Sequence, residues 1–380
     1  MHGSRAARPR VTVVVPTYNR AALLGECLDS LLAQTLPPAE LIVVNDGSTD
    51  QTSDLLASYG YQLTAVTTPQ HGKPVACNVG LERATGDYVW FFDDDDVALP
   101  ECLERFVAPM EASPDAGFSY ARFAHAPSGP DGRIGAVTRH SAMPALIERG
   151  FLLPLLEQNF LGGAALMARR ACYEQVGGFD PALVRSQDYE MAIRLARNFT
   201  AVPVSGPPPF IYRSHAGERG SSQDRFDAAK QLLKWLEYDQ QIFRRLHAEL
   251  PLGDYLPPAT EPATHKRQAL LQRFAIACTK LLHNEALSDL ADLAALPYVS
   301  PLSHAERRIA RTAAQHIPYY GAGSLFDDAE FCWTARSVTA GSATGRAIRR
   351  EFLRGTARRV VERGEWSMAR FRHSLPFILP

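Results

Sequence analysis

Tyr88-Val89-Trp90-Phe91-Phe92-Asp93-Asp94-Asp95-Asp96 is the stretch on which the fold turns. Five apolar residues of aromatic and β-branched type read as a buried strand, and four carboxylates follow without a spacer. Like charges a few ångströms apart repel and raise one another's pKa, so such a cluster calls for a compensating cation. Hard oxygen ligands favour Mg²⁺ or Mn²⁺, and the natural further ligand of such an ion in a strand-end crevice is a pyrophosphate. An arbitrary acidic cluster is more often a solvated loop; the position directly after Val89–Phe92 argues the other way.

Outward from this stretch the same grammar repeats. Val11 to Val15 and Leu41 to Val44 are short β-branched runs ending at Pro16 and at Asn45-Asp46-Gly47-Ser48. Between them, Leu23, Leu24, Cys27, Leu28, Leu31 and Leu32 recur at helical spacing. A second helix to about Ser58, a strand at Leu63 to Thr67 and a helix at Pro74 to Ala84 complete the run. Alternating strands and helices predict a doubly wound α/β sheet with ligands beyond the carboxyl ends of its strands, where the polar clusters stand. Farther on, the pattern predicts a helix from Pro100 to Met110, strands at Phe118 to Ala121, Gly163 to Ala168 and Phe210 to Tyr212, and a helix at Tyr189 to Arg197. From Asp224 long amphipathic helices are expected at about 224–250, 264–283, 303–316 and 344–363. The division is therefore 1–222 for an α/β part and 223–380 for a mainly helical one.

The chain has 380 residues, 46% of them hydrophobic, with 40 basic against 41 acidic side chains and a net charge of −1. That balance excludes a global field drawing the molecule to nucleic acid. The six cysteines show no CxxC spacing, which points to reduced thiols. Met1 to Arg10 lacks the apolar core of a signal peptide, and no run approaches the ~20 apolar residues of a membrane span. A cytoplasmic protein, soluble or peripheral at the inner membrane face, is the expectation.

Taken together, Val13-Val14-Val15-Pro16-Thr17-Tyr18-Asn19-Arg20, Val43-Val44-Asn45-Asp46-Gly47-Ser48-Thr49-Asp50, Gly86 through Asp96, Gly177-Gly178-Phe179-Asp180 and Gln187-Asp188-Tyr189-Glu190 resemble glycosyltransferase family 2, over about residues 10–215. The resemblance implies the GT-A fold, a Rossmann-like doubly wound mixed sheet, here with a helical C-terminal extension. It also implies an inverting, metal-dependent transfer from a nucleotide-diphosphate sugar, UDP-linked above others. By the same resemblance Pro16, Thr17, Tyr18 and Arg20 border the nucleotide base, Asp46 meets the uracil edge, Lys73 lies near the nucleotide, and Asp93 or Asp94 faces the ribose. Asp95 is the expected ligand of Mn²⁺ or Mg²⁺, with His215 a second one and Asp96 behind them. Asp188 matches the general base, although Gln187 replaces the acidic residue that usually precedes it. Such a carboxylate takes the proton from the acceptor as it attacks the anomeric carbon. Asp188 also reads as a helix N-cap.

Other residues carry weaker signals. Arg213 and Arg219 are either phosphate contacts or solvated, His71 is a minor donor-site candidate, and the pairs Gly162-Gly163 and Gly177-Gly178 read as backbone devices. A dinucleotide oxidoreductase is excluded, because GxGxxG is missing after the first strand. A catalytically inactive sugar-nucleotide-binding or scaffold protein of the same fold is the alternative, against which Asp46, Asp95 and Asp188 speak. The acceptor, whether small molecule, peptide or glycan, has no signature. The arginine-rich stretch Arg346 to Arg372 reads as a packed helix with a basic face, with a peripheral membrane helix the competing reading. The C-terminal helices also offer a route to a homo-oligomer.

Overall fold

The computed structural model describes residues 9–129, 131–146, 148–214, 231–258, 260–262, 265–315 and 324–363. His215, Arg219 and the end of the basic stretch lie outside them. The chain divides into two compact units, residues 1–144 with 158–228, and 145–157 with 229–380.

The first unit is built on a seven-stranded sheet. Its members are β1 (Val11–Thr17), β2 (Glu40–Asn45), β3 (Thr64–Thr67), β4 (Tyr88–Phe91), β6 (Ala116–Tyr120), β9 (Leu166–Arg169) and β10 (Thr200–Pro203). They lie in the order β10-β6-β9-β4-β1-β2-β3. β9 runs antiparallel to both neighbours, β4 and β6, and the other pairings are parallel. All seven residues of β1 are buried, as expected of a central parallel strand covered on both faces. The covering helices are α1 (Ala21–Leu32), α2 (Thr52–Ser58), α3 (Lys73–Arg83), α4 (Cys102–Ala112), α6 (Arg170–Val176) and α7 (Gln187–Asn198). Gly80 lets α3 approach β1: a Cβ there would lie 2.2 Å from Cγ1 of Val14. Trp90 packs on Phe92 and Phe106 at ring distances of 4.5 and 5.4 Å, and its indole N–H donates to the Ala164 carbonyl at 2.8 Å. A small second sheet orders β5 (Val97–Ala98), β11 (Phe210–Ser214), β7 (Ala124–Pro127) and β8 (Arg139–His140) as β5-β11-β7-β8.

The second unit is helical: α5 (Leu152–Glu157), α8 (Gln231–Glu249), α9 (Lys266–Thr279), α10 (His283–Ala295), α11 (His304–Gln315), α12 (Ala329–Ala340) and α13 (Ala343–Arg363). Phe352 joins its core by stacking on Phe274 at 5.1 Å and meeting Phe326 edge-on at 5.4 Å. The helix expected at 264–283 stops at Thr279, where Leu281 takes a positive φ of 53°, and α10 starts anew at His283. The strand expected at Gly163 begins only at Leu166, behind a 3-10 turn over Gly163–Ala165. All six cysteines are buried and unbridged.

Candidate functional site

Parallel pairing of β1 with β2 and β4 brings three polar strand ends to one edge of the sheet. From β1 the chain turns through Tyr18, Asn19 and Arg20. Asn19 takes φ 51°, a left-handed conformation that asparagine tolerates. Its side-chain oxygen accepts from the amides of Thr49 at 2.7 Å and Asp50 at 3.3 Å, so the turn after β1 is held by the turn after β2. Asp46, at the end of β2, is buried; its Oδ1 accepts the His71 amide and its Oδ2 the Gly72 amide, both at 2.8 Å. That pair of bonds sets the start of α3, whose first residue is Lys73.

The Lys73 ammonium pairs with Oδ1 of Asp93 at the end of β4. Burial alone would lower the Lys73 pKa, but the Asp93 carboxylate, with Asp188 behind it, outweighs it, and the ammonium stays charged. Asp188 approaches from α7. Gly163 lies close to both carboxylates: a Cβ there would lie 3.1 Å from Oδ2 of Asp93 and 3.5 Å from Oδ2 of Asp188. These groups line a pocket of about 530 Å³, open mouth included, which also exposes Phe91, Tyr173, Phe179 and Gln187. The apolar side is rigid: Phe91 meets Tyr173 at 5.4 Å and Phe179 at 4.8 Å, both edge-on. Asn78 of α3 holds Phe179 by accepting its amide at 2.7 Å and donating to its carbonyl at 2.8 Å. Burial raises the Asp188 pKa, Lys73 pulls it back, and Asp93 pushes it up again; the net shift is upward.

The rest of the acidic loop is tied individually. Asp95 pairs with Arg20 at 3.3 Å. Asp94 is shifted well above the usual carboxylate range by burial and by the Asp95 charge. Asp96 is buried, accepts the Arg213 amide at 2.9 Å through Oδ1, and leaves Oδ2 without a hydrogen-bond partner. Arg213 is itself fully buried: it donates to the Asp95 carbonyl at 2.7 Å and the Gly132 carbonyl at 2.9 Å and pairs with Glu26. It is neither a phosphate contact nor a solvated surface residue, as sequence reasoning had it, but a clamp on the loop. Nor is Asp188 the N-cap of α7. Ser186, with φ 54°, occupies that position without a side-chain cap bond, and Asp188 sits two residues on.

Residues 12–175 match the family model described as Glycosyl transferase family 2. An uncharacterized glycosyltransferase of Haemophilus influenzae is 26% identical over 226 residues, covering 56% of this chain and 70% of the relative. One from Rickettsia felis is 28% identical over 191 residues, which span only 32% of its length. Residues 12–175 belong to glycosyltransferase family 2. The fold agrees: the 1–349 fragment of Staphylococcus aureus TarS superposes with a TM-score of 0.53 at 18% identity, over 94% of this chain and 91% of the fragment, and it is also described in complex with UDP-GlcNAc. The family 2 domain is thus a transferase domain of the GT-A fold.

Within the first unit the structure brings Lys73, Asp93 and Asp188 to one pocket, and puts Thr17, Tyr18, Arg20, Asp46, Asp94 and Asp95 on the strand ends. Pro16 and Thr17 are buried in β1, while the His71 side chain is exposed. Among the described residues no three His, Cys, Asp or Glu are gathered to hold a metal. Sequence reasoning missed Asn78 and Phe179, and it read Gly163 first as a backbone device and second as a residue shaping the acceptor cleft. The Gly-Gly-Phe-Asp motif was the available signal for Phe179.

Proposed function

We propose that the chain transfers a sugar from a nucleotide-diphosphate donor, a UDP-sugar above others, to an acceptor nucleophile with inversion at the anomeric carbon. The observation that carries this reading is that Asp188 and Asp93 both lie close to Gly163 in a pocket that also holds Lys73. Burial makes Asp188 more basic than a free carboxylate, which suits it to take the acceptor's proton. Lys73 keeps Asp93 oriented and lends positive charge beside the incoming donor. The pocket's thiol is Cys77, whose pKa burial pushes up to about 12, so it stays neutral beside the carboxylates. The UDP-GlcNAc complex of the TarS fragment supports the choice of a UDP donor.

A divalent ion fits the donor set in kind. Asp95 with its neighbours offers only hard oxygen ligands, and burial together with the adjoining Asp95 charge raises the Asp94 pKa, a shift that a bound cation would relieve. Asp95 would hold Mn²⁺ or Mg²⁺, with His215 as a second ligand. Bound there, the ion would offset charge developing on the leaving diphosphate. The helical residues after about 222 are proposed to supply acceptor contacts or self-association.

A thermal-shift screen of nucleotide sugars with and without Mn²⁺ tests this reading, with Asp95→Ala as the control. The expected result is stabilisation by a UDP-sugar that grows with Mn²⁺ in the parent chain and loses its Mn²⁺ dependence in Asp95→Ala. No response to any nucleotide sugar would contradict the donor assignment, and turnover unchanged without added metal would contradict the role of Asp95.

A further inference from the structure

Arginine recurs at every fourth position along α13: Arg346, Arg350, Arg354 and Arg358. All four are exposed, while Ala347, Ile348, Glu351 and Phe352 face inward. At 1.5 Å per residue the row runs about 18 Å down one side of the helix. Like charges spaced i,i+4 destabilise a helix, so the row is a standing cost. The buried Glu351 is shared by Arg354 and by Arg311 of α11. Arg349, half-buried beside the row, has its pKa lowered by burial and by the charges of Arg336 and Arg346, which places these guanidinium groups of α12 and α13 in one patch. Trp333 of α12 adjoins it, 61% exposed, with the Arg336 guanidinium 5.9 Å from its ring.

An exposed indole at the edge of an arginine row combines the two side chains suited to the polar–apolar boundary of a bilayer, one meeting phosphates and the other entering the headgroup layer. A dissolved polyanion would satisfy the arginines and leave Trp333 without a role. Among the described residues no helix is long and apolar enough to cross a membrane. The apolar side of α13 is spent on the unit's own core, so contact would be made by the basic side rather than by an inserted helix.

We propose that the α12–α13 face is a docking surface for an anionic lipid membrane, with Arg346 and Arg350 contacting headgroup phosphates and Trp333 reaching the interfacial layer. This inference is independent of the donor chemistry.

Flotation of the full chain with phosphatidylcholine vesicles, with and without phosphatidylglycerol, tests it. Binding is expected only with phosphatidylglycerol and is expected to fall at high salt. The double variant Arg346→Glu/Arg350→Glu is expected to lose at least about tenfold in binding, and Trp333→Ala to weaken it, while the double lysine variant retains most of it. Unchanged UDP affinity and unfolding temperature in the variants would show that each is folded. Absence of binding, binding indifferent to charge reversal, or capture by immobilised polyphosphate with none by vesicles would each overturn the proposal.

Discussion

The Gly72 amide donates to Oδ2 of Asp46 at 2.8 Å, tying the start of α3 to the end of β2. With the His71 amide on Oδ1, both oxygens of a buried carboxylate are engaged by one loop. Asp46 therefore acts on the site first by fixing where Lys73 begins its helix.

Asp46→Asn puts an amide nitrogen where one of those two amides must be accepted. The expected loss of stability is about 1–3 kcal/mol, the usual cost of a buried hydrogen-bonding group left unsatisfied, accompanied by weaker UDP binding. Denaturant unfolding and UDP titration measure the two effects. Normal stability with lost UDP affinity would mean that Asp46 acts on the base alone.

At Gly163 the constraint is space. A methyl group there would stand 3.1 Å from Oδ2 of Asp93, close enough to displace that carboxylate by a few tenths of an ångström relative to Asp188. Since small misplacements of reacting groups are costly, Gly163→Ala is expected to lower kcat by ~10- to 100-fold while donor affinity changes little. Steady-state kinetics decide it; an unchanged kcat would show that the two carboxylates need not keep this separation.

The pH dependence follows from the upward shift of Asp188. A base works deprotonated, so kcat is expected to fall as pH drops through a pKa above the usual carboxylate value, giving an acid limb of slope one. Lys73 lowers that pKa, so Lys73→Met should move the limb to higher pH. A limb that stays put or moves down would break the electrostatic link between Lys73 and Asp188.

How far the sequence revealed this site depends on the distance over which each feature is determined. β1, α1, β2 and β4 are written in local periodicity, and the polar residues at their ends follow from the strand boundaries. The burial of Arg213 is not local: its partners Glu26 and Gly132 lie 187 and 81 residues away in the chain, and nothing near Arg213 distinguishes it from a surface arginine. The end of α9 escaped because Lys280-Leu281-Leu282 continues the helical pattern without glycine or proline, although Leu281 takes a positive φ. For α12 the signal was present, since Asp328 caps the helix by accepting the Glu330 and Phe331 amides at 2.8 and 3.1 Å.

The central claim is that Asp188 moves a proton rather than merely shaping the pocket, and single-turnover transfer by Asp188→Asn tests it most directly. The substitution keeps the size of the side chain and removes its ability to take the acceptor's proton. With donor affinity within about twofold of the parent chain, the rate is expected to fall by ~10²- to 10⁴-fold, the usual range for a lost general base. Transfer at the parent rate with the donor bound normally would contradict the account.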